Sequence, residues 1–303
     1  MRKGNRVQGV SVYIPVLETS RALKYCLDGL LNQTKKPDEI ILLYNGNLPE
    51  VKAIAARYNY NIRLVHLTGT FNRSQIKNVA LQSAKYDLVA SLHANSVPQK
   101  DWLKILSDRM RKHSEVIGAG GPLVETHTDS ITNRYRCLHL HQNQGASVII
   151  NPKLLHGGNT IYRRQALLGI GGYNQDLHNG EEDIELSSRI RKKGGLLIYD
   201  PSAAAYRYRR DSVSTIITLQ WQSLRQMQSL IQSPLSPKDV WHNGKQMMKA
   251  MWKNQILKDL REKRFLFGAF GMATMTAAPF LEWKWYRNST KYLIPHTLCK
   301  SEA

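Results

Sequence analysis

The stretch YDLVASLHANSVPQKDW, residues 86–102, shows the unit from which the chain is built. It begins with an apolar run that ends at Leu92, continues through the polar turn HANS, and enters a helix near Gln99. The apolar run predicts a buried strand, and the helix over residues 99–112 places Trp102 on its inner face. A strand, a polar turn and a helix together form the repeating unit of an α/β fold.

The same unit occurs three times upstream. Strands are predicted at residues 10–14, 38–45 and 62–67, and the helices that follow them from about Ser20, at 51–58 and at 74–84. Four such alternations predict a parallel sheet with crossover helices. Ligands of these sheets bind outside the carboxyl ends of the strands. Three loops are expected there, namely residues 15–18, 44–47 and 93–96.

A well-marked helix lies further along, in HNGEEDIELSSRIRKKGG, residues 178–195. It has acids at its start, Lys and Arg at its end and a glycine pair as its stop signal, as the helix dipole favours. Residues 157–167 predict a strand that enters a helix, and residues 195–208 predict one or two strands. From Ser212 the pattern becomes helical, so we predict one domain over 1–211 and a helical region over 212–303.

Several of these segments, in this order, resemble the family-2 glycosyltransferases, whose fold is called GT-A. The resemblance covers roughly residues 10–210 and rests on these segments: SVYIPV with ALKYCLDGLLNQTKKPDEIILL, KNVAL, DWL, GGNTIYRRQALLGIGGYNQDL, EEDIELSSRIRKKG and YDPSAAAYRY. Each segment is weak alone, but together they are specific for the fold. The resemblance implies an α/β, Rossmann-like, mostly parallel sheet flanked by helices.

The resemblance also implies a nucleotide-sugar donor, an acceptor beside it and transfer with inversion at the anomeric carbon. The family's Glu-Asp pair at a helix start matches Glu182 and Asp183, so Asp183 would be the general base and Glu182 would hold acceptor hydroxyls. Gly158 and Asn159 would line the donor-sugar or acceptor pocket. The alternative is structural, because acids at a helix start complement its dipole and a Gly-Asn pair can form a simple turn.

The turn after the fourth strand departs from the family. The usual Asp-x-Asp motif binds Mg²⁺ or Mn²⁺ with the diphosphate, whereas this chain has His93-Ala94-Asn95. Hard divalent cations prefer carboxylate oxygens. We therefore expect no metal site and no cofactor, although weak Mg²⁺ or Mn²⁺ binding remains open.

The first two loops depart as well. The family usually has an acid after the second strand that reads the nucleobase, but residues 44–47 read YNGN. It usually has an aromatic residue and Asn in the first loop, where Leu17 and Glu18 stand here. The expected donor contacts in these loops are Pro15, Val16, Leu17, Glu18 and Asn45, and a UDP-sugar is only the default donor.

Two cationic side chains are expected to neutralise the diphosphate in place of a metal ion. Lys77 stands where the family has the Arg of an Ala-Arg-Asn motif, and Arg207 falls near a position where many relatives have a His. One cation about 4 Å from a developing charge is worth roughly 4 kcal/mol at an effective dielectric near 20. We therefore expect Lys77 and Arg207, with His93 and Asn95, to contact the diphosphate. A solvated strand end or a nucleic-acid patch would also explain the segment YRYRR.

The composition is strongly basic, with 43 Lys and Arg against 23 Asp and Glu and a net charge of +20. Such a charge concentrates anionic partners, but the sequence contains no recognised nucleic-acid module, so we expect no nucleic acid partner. Three scattered cysteines favour a reduced protein. The apolar run near the start is too short for a signal peptide, so we expect a cytoplasmic protein.

The last quarter has two notable segments. Residues 245–264 form a basic amphipathic pattern, and no charge occurs from Phe265 to Leu281. About 17 uncharged residues are at the lower limit for a membrane span. A basic helix, a short apolar run and an aromatic cluster fit an interfacial anchor over 241–287, at the inner face of a membrane. A homo-oligomer interface or a core hairpin of helices would fit too.

Two functions follow. The first is an inverting glycosyltransferase, metal-independent or weakly metal-dependent, that moves a sugar from a nucleoside-diphosphate sugar to a glycan or lipid-linked acceptor in cell-envelope polysaccharide synthesis. The second is an inactive GT-A domain that binds a glycan or serves as a scaffold. The intact Glu182-Asp183 pair favours the first, and the altered loops motivate the second.

Overall fold

A computed structural model describes residues 9–16, 22–46, 49–177, 181–227 and 236–291. The chain divides into two compact units. Unit 1 comprises residues 1–128 and 141–210, and unit 2 comprises residues 129–140 and 211–303. The sequence placed residues 129–140 in the first domain, whereas the structure places them in unit 2.

Eleven strands and eleven α-helices occur in the described part of the chain. The strands are β1 (Val10–Val16), β2 (Glu39–Asn45), β3 (Ile62–Leu67), β4 (Leu88–Leu92), β5 (Ser96–Pro98), β6 (Val116–Gly120), β7 (Leu123–Glu125), β8 (Ile149–Ile150), β9 (Asn159–Arg163), β10 (Leu196–Tyr199) and β11 (Ala205–Arg207). The helices are α1 (Ala22–Leu31), α2 (Pro49–Ala55), α3 (Arg73–Ser83), α4 (Trp102–Lys112), α5 (Ile131–His139), α6 (Arg164–Gly169), α7 (Glu182–Lys192), α8 (Val213–Met227), α9 (Pro237–Met251), α10 (Leu257–Arg261) and α11 (Phe265–Lys291). A π-helical turn, Trp252–Ile256, joins α9 to α10.

Unit 1 is built on an eight-stranded sheet of order β3-β2-β1-β4-β9-β6-β10-β8. Strands β3, β2, β1 and β4 run parallel, as the sequence predicts, and β9 lies antiparallel between β4 and β6. The carboxyl ends of β1 to β4 therefore meet at one edge, together with the start of β9, because Leu92 pairs with Asn159. Strands β5, β11 and β7 form a small second sheet.

Both faces of the large sheet are buried. Val12 and Ile14 of β1 pack in one cluster with side chains of α1 and α4, whereas Tyr13 packs in a second cluster with side chains of α3 and α7. Successive side chains of a strand point to opposite faces, so the uninterrupted apolar runs in the sequence match a sheet covered on both sides.

Unit 2 is helical and contains α5 and α8 to α11. Its core includes Tyr135, Trp221, Met247 and Met251. Tyr135 of α5 is fully buried, and its ring centroid lies 5.0 Å from that of Phe270. The packing of this ring explains why residues 129–140 belong to unit 2.

Candidate functional site

The carboxyl edge of the large sheet brings together three separate parts of unit 1. His93 follows β4, the pair Gly157-Gly158 precedes β9, and the His93 amide donates to the Gly158 carbonyl at 3.3 Å. The start of α7 reaches the same place, because the Gly157 amide donates to Asp183 Oδ2 at 2.8 Å. The sheet register thus joins residues that are far apart in sequence.

Lys77, Glu182 and Asp183 form a cluster at this edge. Lys77 Nζ lies 2.8 Å from Glu182 Oε1 and 2.6 Å from Asp183 Oδ1. The Lys77 side chain is 9% exposed, that of Glu182 4% and that of Asp183 19%, so the aspartate is the most exposed of the three. Lys77 Nζ also lies 4.9 Å from the ring centroid of Tyr173, a distance at which a cation is attracted to the ring. The two predicted acids and the lysine are therefore one charged unit.

Burial and charge affect the two acids differently. Burial raises the pKa of Asp183, with added repulsion from Glu182, and the attraction of Lys77 only partly offsets this. Burial acts on Glu182 too, but Lys77 and Arg73 outweigh it and lower the pKa of that carboxyl. Burial likewise opposes the charged form of Lys77, yet Asp183 and Glu182 raise its pKa, so it stays a cation. A carboxylate with a raised pKa suits proton acceptance.

The glycine pair lets these side chains approach the backbone. A Cβ at Gly157 would overlap the Asp183 carboxylate and the Lys77 ammonium, and a Cβ at Gly158 would overlap the His93 ring. Neither glycine has a positive φ, so the requirement comes from side-chain space. The predicted role of Gly158 as a pocket residue is consistent with its place beside His93.

His93 and Asn95 lie at the turn after β4, where the resemblance predicts that the metal motif is replaced. His93 is exposed at this edge, but the protein atoms around its ring reduce its solvation, and this loss together with the charges of Arg207, Arg73, Lys77 and Arg209 holds its pKa well below the usual range. The Asn95 carbonyl accepts from the Tyr208 amide at 2.7 Å.

These residues do not fit a hard divalent cation. The turn supplies a neutral imidazole and an amide, no carboxylate, and several nearby cations would repel a metal ion. Among the described residues, no group of three or more His, Cys, Asp or Glu side chains is placed to hold one.

Arg207 is more buried than the sequence suggested. Its side chain is 4% exposed, and its guanidinium lies 3.1 Å from Glu125 Oε1 and bonds to Gln142. It still acts on the site, because its charge is the largest electrostatic influence on the pKa of His93. Arg207 therefore influences His93 through its charge, while its guanidinium is bound to the side chains of Glu125 and Gln142.

Asn159 differs from the expectation of a pocket residue. Its side chain is fully buried, accepts from Trp102 Nε1 at 2.6 Å, and donates to the carbonyls of Pro122 and Ala203 at 2.9 and 2.8 Å. Because these bonds use both amide hydrogens and the oxygen, Asn159 has an internal, positioning role. It links α4, which begins at Trp102, to the start of β9.

The first two loops are described only in part. Pro15 is half-buried and Val16 is buried at the end of β1, whereas Leu17, Glu18 and Asn47 lie outside the described residues. Asn45 donates to the Gly69 carbonyl at 2.8 Å and accepts from the Gly46 amide at 2.7 Å. The Asn45 side chain therefore shapes its own turn at the carboxyl edge.

Two residues of the site were not singled out in the sequence. Arg73 begins α3 one turn before Lys77, is exposed, and acts on both His93 and Glu182. The four-residue spacing puts Arg73 on the same helix face as Lys77, and this spacing could have identified it from the sequence. No sequence signal identified Gly157, because the hydrogen bond from its amide to Asp183 depends on the tertiary structure.

Comparison with known proteins places this geometry in context. The family model described as Glycosyl transferase family 2 matches residues 11–171. The chain is 22% identical over 227 residues to a chondroitin synthase of Pasteurella multocida, covering 63% of this chain and 24% of that protein. It is 25% identical over 180 residues to an amylovoran biosynthesis glycosyltransferase of Erwinia amylovora, covering 58% and 66%. The chain thus spans only part of these relatives.

Solved structures share the fold. A mannosyltransferase from Pyrobaculum calidifontis, in complex with GDP-Man and Mn²⁺, has a TM-score of 0.56 at 16% identity and covers 95% of this chain and 81% of its own. GalNAc-T7 with UDP, GalNAc and Mn²⁺ has a TM-score of 0.56 at 15% identity and covers 84% and 57%.

Proposed function

Because the chain belongs to glycosyl transferase family 2, we propose that it transfers a sugar from a nucleoside-diphosphate sugar to an acceptor hydroxyl with inversion. The family resemblance and the α/β GT-A fold class predicted from the sequence are confirmed. The observation that carries the proposal is Asp183, partly exposed at the carboxyl edge of the sheet and held by Lys77 and the Gly157 amide.

In the proposed step, Asp183 accepts the proton of the acceptor hydroxyl. The acceptor oxygen forms a bond to the anomeric carbon on one face while the bond from that carbon to the diphosphate breaks on the other. The nucleoside diphosphate leaves with the negative charge. The raised pKa of Asp183 supports this role, because proton transfer is most efficient when the pKa of the base is near the working pH.

We further propose that cations of the chain, with little or no help from metal, stabilise the leaving diphosphate. Arg73, Lys77, Arg207 and Arg209 all act on His93, so the potential at this turn favours an anion. Donors and charges fixed before the reaction cost no reorganisation when the leaving group becomes charged. Mn²⁺ accompanies GDP-Man in one solved neighbour and UDP with GalNAc in the other, so metal dependence is the feature in which this chain would differ.

The acceptor is proposed to be a growing glycan, free or lipid-linked. Support comes from the names of the relatives, a chondroitin synthase and an amylovoran glycosyltransferase, which act in polysaccharide synthesis. We propose a cytoplasmic location with peripheral contact to a membrane through unit 2. In the described residues one helix, Phe265–Asn288, is long and apolar enough to cross a membrane. Of its apolar 18-residue stretch, 28% is buried inside the protein.

The experiment that tests the proposed base is Asp183→Asn. The amide keeps the shape but cannot take the proton, so we expect transfer to fall by at least about a hundredfold while donor affinity, measured by calorimetry, stays within a few-fold. Glu115→Gln, an exposed acid directly before β6, is the matched control and should keep its activity. Near-normal transfer by Asp183→Asn would remove Asp183 as the base.

Metal independence is tested by transfer with and without a chelator. We expect activity to persist in EDTA. Loss of activity in EDTA that Mn²⁺ restores would overturn this part of the proposal and leave the role of Asp183 untouched.

The second candidate is an inactive domain that binds a glycan or a partner enzyme. The altered loop at residues 44–47 and the missing metal motif favour it. Titration with a panel of nucleotides and nucleotide sugars separates the two, because a scaffold should bind none of them.

A further inference from the structure

We infer that unit 2 carries a docking site for anionic phospholipid, formed by one face of α11 and the adjoining end of α9. The inference rests on the membrane contact proposed above and specifies its chemistry. An acyl chain would lie in an apolar groove between the two helices, and lysines around the groove would bind the phosphate.

The exposed face of α11 is apolar over most of its length. The exposed positions follow helical spacing and carry no charge from Phe265 to Trp283: Phe265, Leu266, Ala269, Met272, Ala273, Thr276, Phe280 and Trp283. At about 1.5 Å per residue this face is roughly 27 Å long. An exposed apolar surface of this kind marks an interaction site.

A groove lies where α9 and α11 approach each other. Its walls are Pro237, Val240 and Trp241 from α9 and Pro279, Phe280 and Trp283 from α11. The helices come close because Gly244 has no side chain, and a Cβ there would lie 3.1 Å from Pro279 Cβ. Phe280 and Trp241 remain 65% and 63% exposed at the rim, so the groove is apolar and open to solvent.

Three lysines stand next to residues of this groove. Lys238 and Lys284 directly follow the lining residues Pro237 and Trp283 in sequence, and Lys245 Nζ lies 4.8 Å from the ring centroid of Trp241. All three lysines are exposed. Two acids stand in the same stretches of α9 and α11: Asp239 accepts from Ser236 Oγ and Glu282 is paired with Arg225, so the three lysines outnumber the acids. The charge pattern therefore complements an anionic headgroup above a hydrocarbon chain.

The contacts of the other face of α11 indicate that this helix would lie in the membrane interface and would not cross the bilayer. It packs on the core of unit 2, and Glu282 is fully buried with Arg225, Trp221 Nε1 and Asn243 as partners. A spanning α11 would carry this ion pair and the exposed lysines of α9 into hydrocarbon, which is costly. A helix with one partnered face and one exposed apolar face fits the plane of the interface, with Trp at headgroup level.

The test measures binding of the full chain to vesicles of phosphatidylcholine alone and of phosphatidylcholine with phosphatidylglycerol. We expect binding to the anionic vesicles only, weakened by salt. Replacing Lys238, Lys245 and Lys284 by Gln should weaken it roughly a hundredfold. The matched control replaces Lys52, Lys104 and Lys192, exposed lysines of unit 1, by Gln and should change binding only a few-fold.

A second pair of variants tests the groove. Trp241→Ser with Phe280→Ser should reduce binding to anionic vesicles at least about tenfold, whereas Tyr25→Ser with Ile150→Ser, which alters exposed apolar residues of unit 1, should not. Unchanged thermal unfolding shows that the variants fold. Equal binding to neutral and anionic vesicles, or no effect of either set, would overturn the phospholipid site and leave membrane contact standing. No binding to any vesicle would overturn both, while transfer to a soluble acceptor still tests Asp183 separately.

Discussion

At the scale of single residues, the proposed chemistry depends on a balance at Asp183. Burial raises the pKa of this carboxyl, and Lys77 at 2.6 Å opposes the rise. Without the lysine the base would hold its proton at higher pH, and without burial it would be a weaker base. We therefore propose that Lys77 acts through Asp183, as a positioning and tuning residue, in addition to its proposed effect on the diphosphate.

Lys77→Met tests this balance. Asp183 must be ionised to accept a proton, and loss of the cation raises the pKa of Asp183 further. We therefore expect the acid limb of the kcat/KM profile to move to higher pH, with activity near pH 6 reduced roughly tenfold or more. Lys77→Arg keeps the charge and should keep the limb near its original position. Superimposable profiles for Met and wild type would refute the tuning role.

Gly157→Ala tests the space beside the base. A methyl group there would overlap the Asp183 carboxylate, and a displacement of about 1 Å can cost roughly a hundredfold in rate. We expect kcat to fall by about that factor while donor affinity changes little. Gly169→Ala is the control, since nothing lies within 4 Å of its added Cβ. If both variants keep full activity, the approach of Asp183 to the backbone is not required.

At the scale of elements, the stretch that sets the fold also holds the site together. Trp102 begins α4, and its indole donates to Asn159 at the start of β9. Asn159 in turn donates to the carbonyls of Pro122 and Ala203. These bonds fix the position of β9, and hence of Gly157 and Gly158, relative to β4 and the turn that holds His93.

Asn159→Leu should be costly for this reason. It leaves the buried Trp102 indole N–H and the Ala203 carbonyl without the partner that Asn159 provides, each worth about 1–3 kcal/mol, whereas the Pro122 carbonyl still accepts from the Ala205 amide. We expect the free energy of unfolding, measured in urea, to fall by about 3 kcal/mol or more. The exposed Asn61→Leu, which loses one hydrogen bond to the Asp38 carbonyl, should cost far less. A small change in Asn159→Leu would show that other contacts hold β9.

At the scale of the whole molecule, the chain has a net charge of +20, and some of its cationic side chains act on His93 and His156. Burial, with Arg207 and His141 acting in the same direction, lowers the pKa of His156 to about 3. The same influences, burial first and cations second, lower the pKa of His93. These rings are therefore neutral at physiological pH, and the excess positive charge rests on Lys and Arg.

Acid should destabilise unit 1 through His156. The folded pKa is below the unfolded value of 6.5, so the unfolded chain binds the proton first, and stability is lost as pH falls from about 6.5 toward 3. At 1.36 kcal/mol per pH unit, the loss at pH 5 is about 2 kcal/mol. Urea unfolding at pH 7 and 5 should show this difference in wild type and less of it in His156→Gln. An equal pH dependence in both would contradict the assignment.

The sequence determined the local and repetitive features of this protein. Four strand–helix alternations predicted the parallel part of the sheet, and the resemblance to the family's Glu-Asp pair at a helix start pointed to Glu182 and Asp183, because these signals depend on neighbouring residues. Only the tertiary structure decided which distant groups meet. It paired Lys77 with Asp183 across 106 positions, occupied Arg207 with Glu125, made Asn159 an internal link and placed residues 129–140 in unit 2. Such contacts are set by sheet register and by packing of buried side chains, which no local pattern encodes.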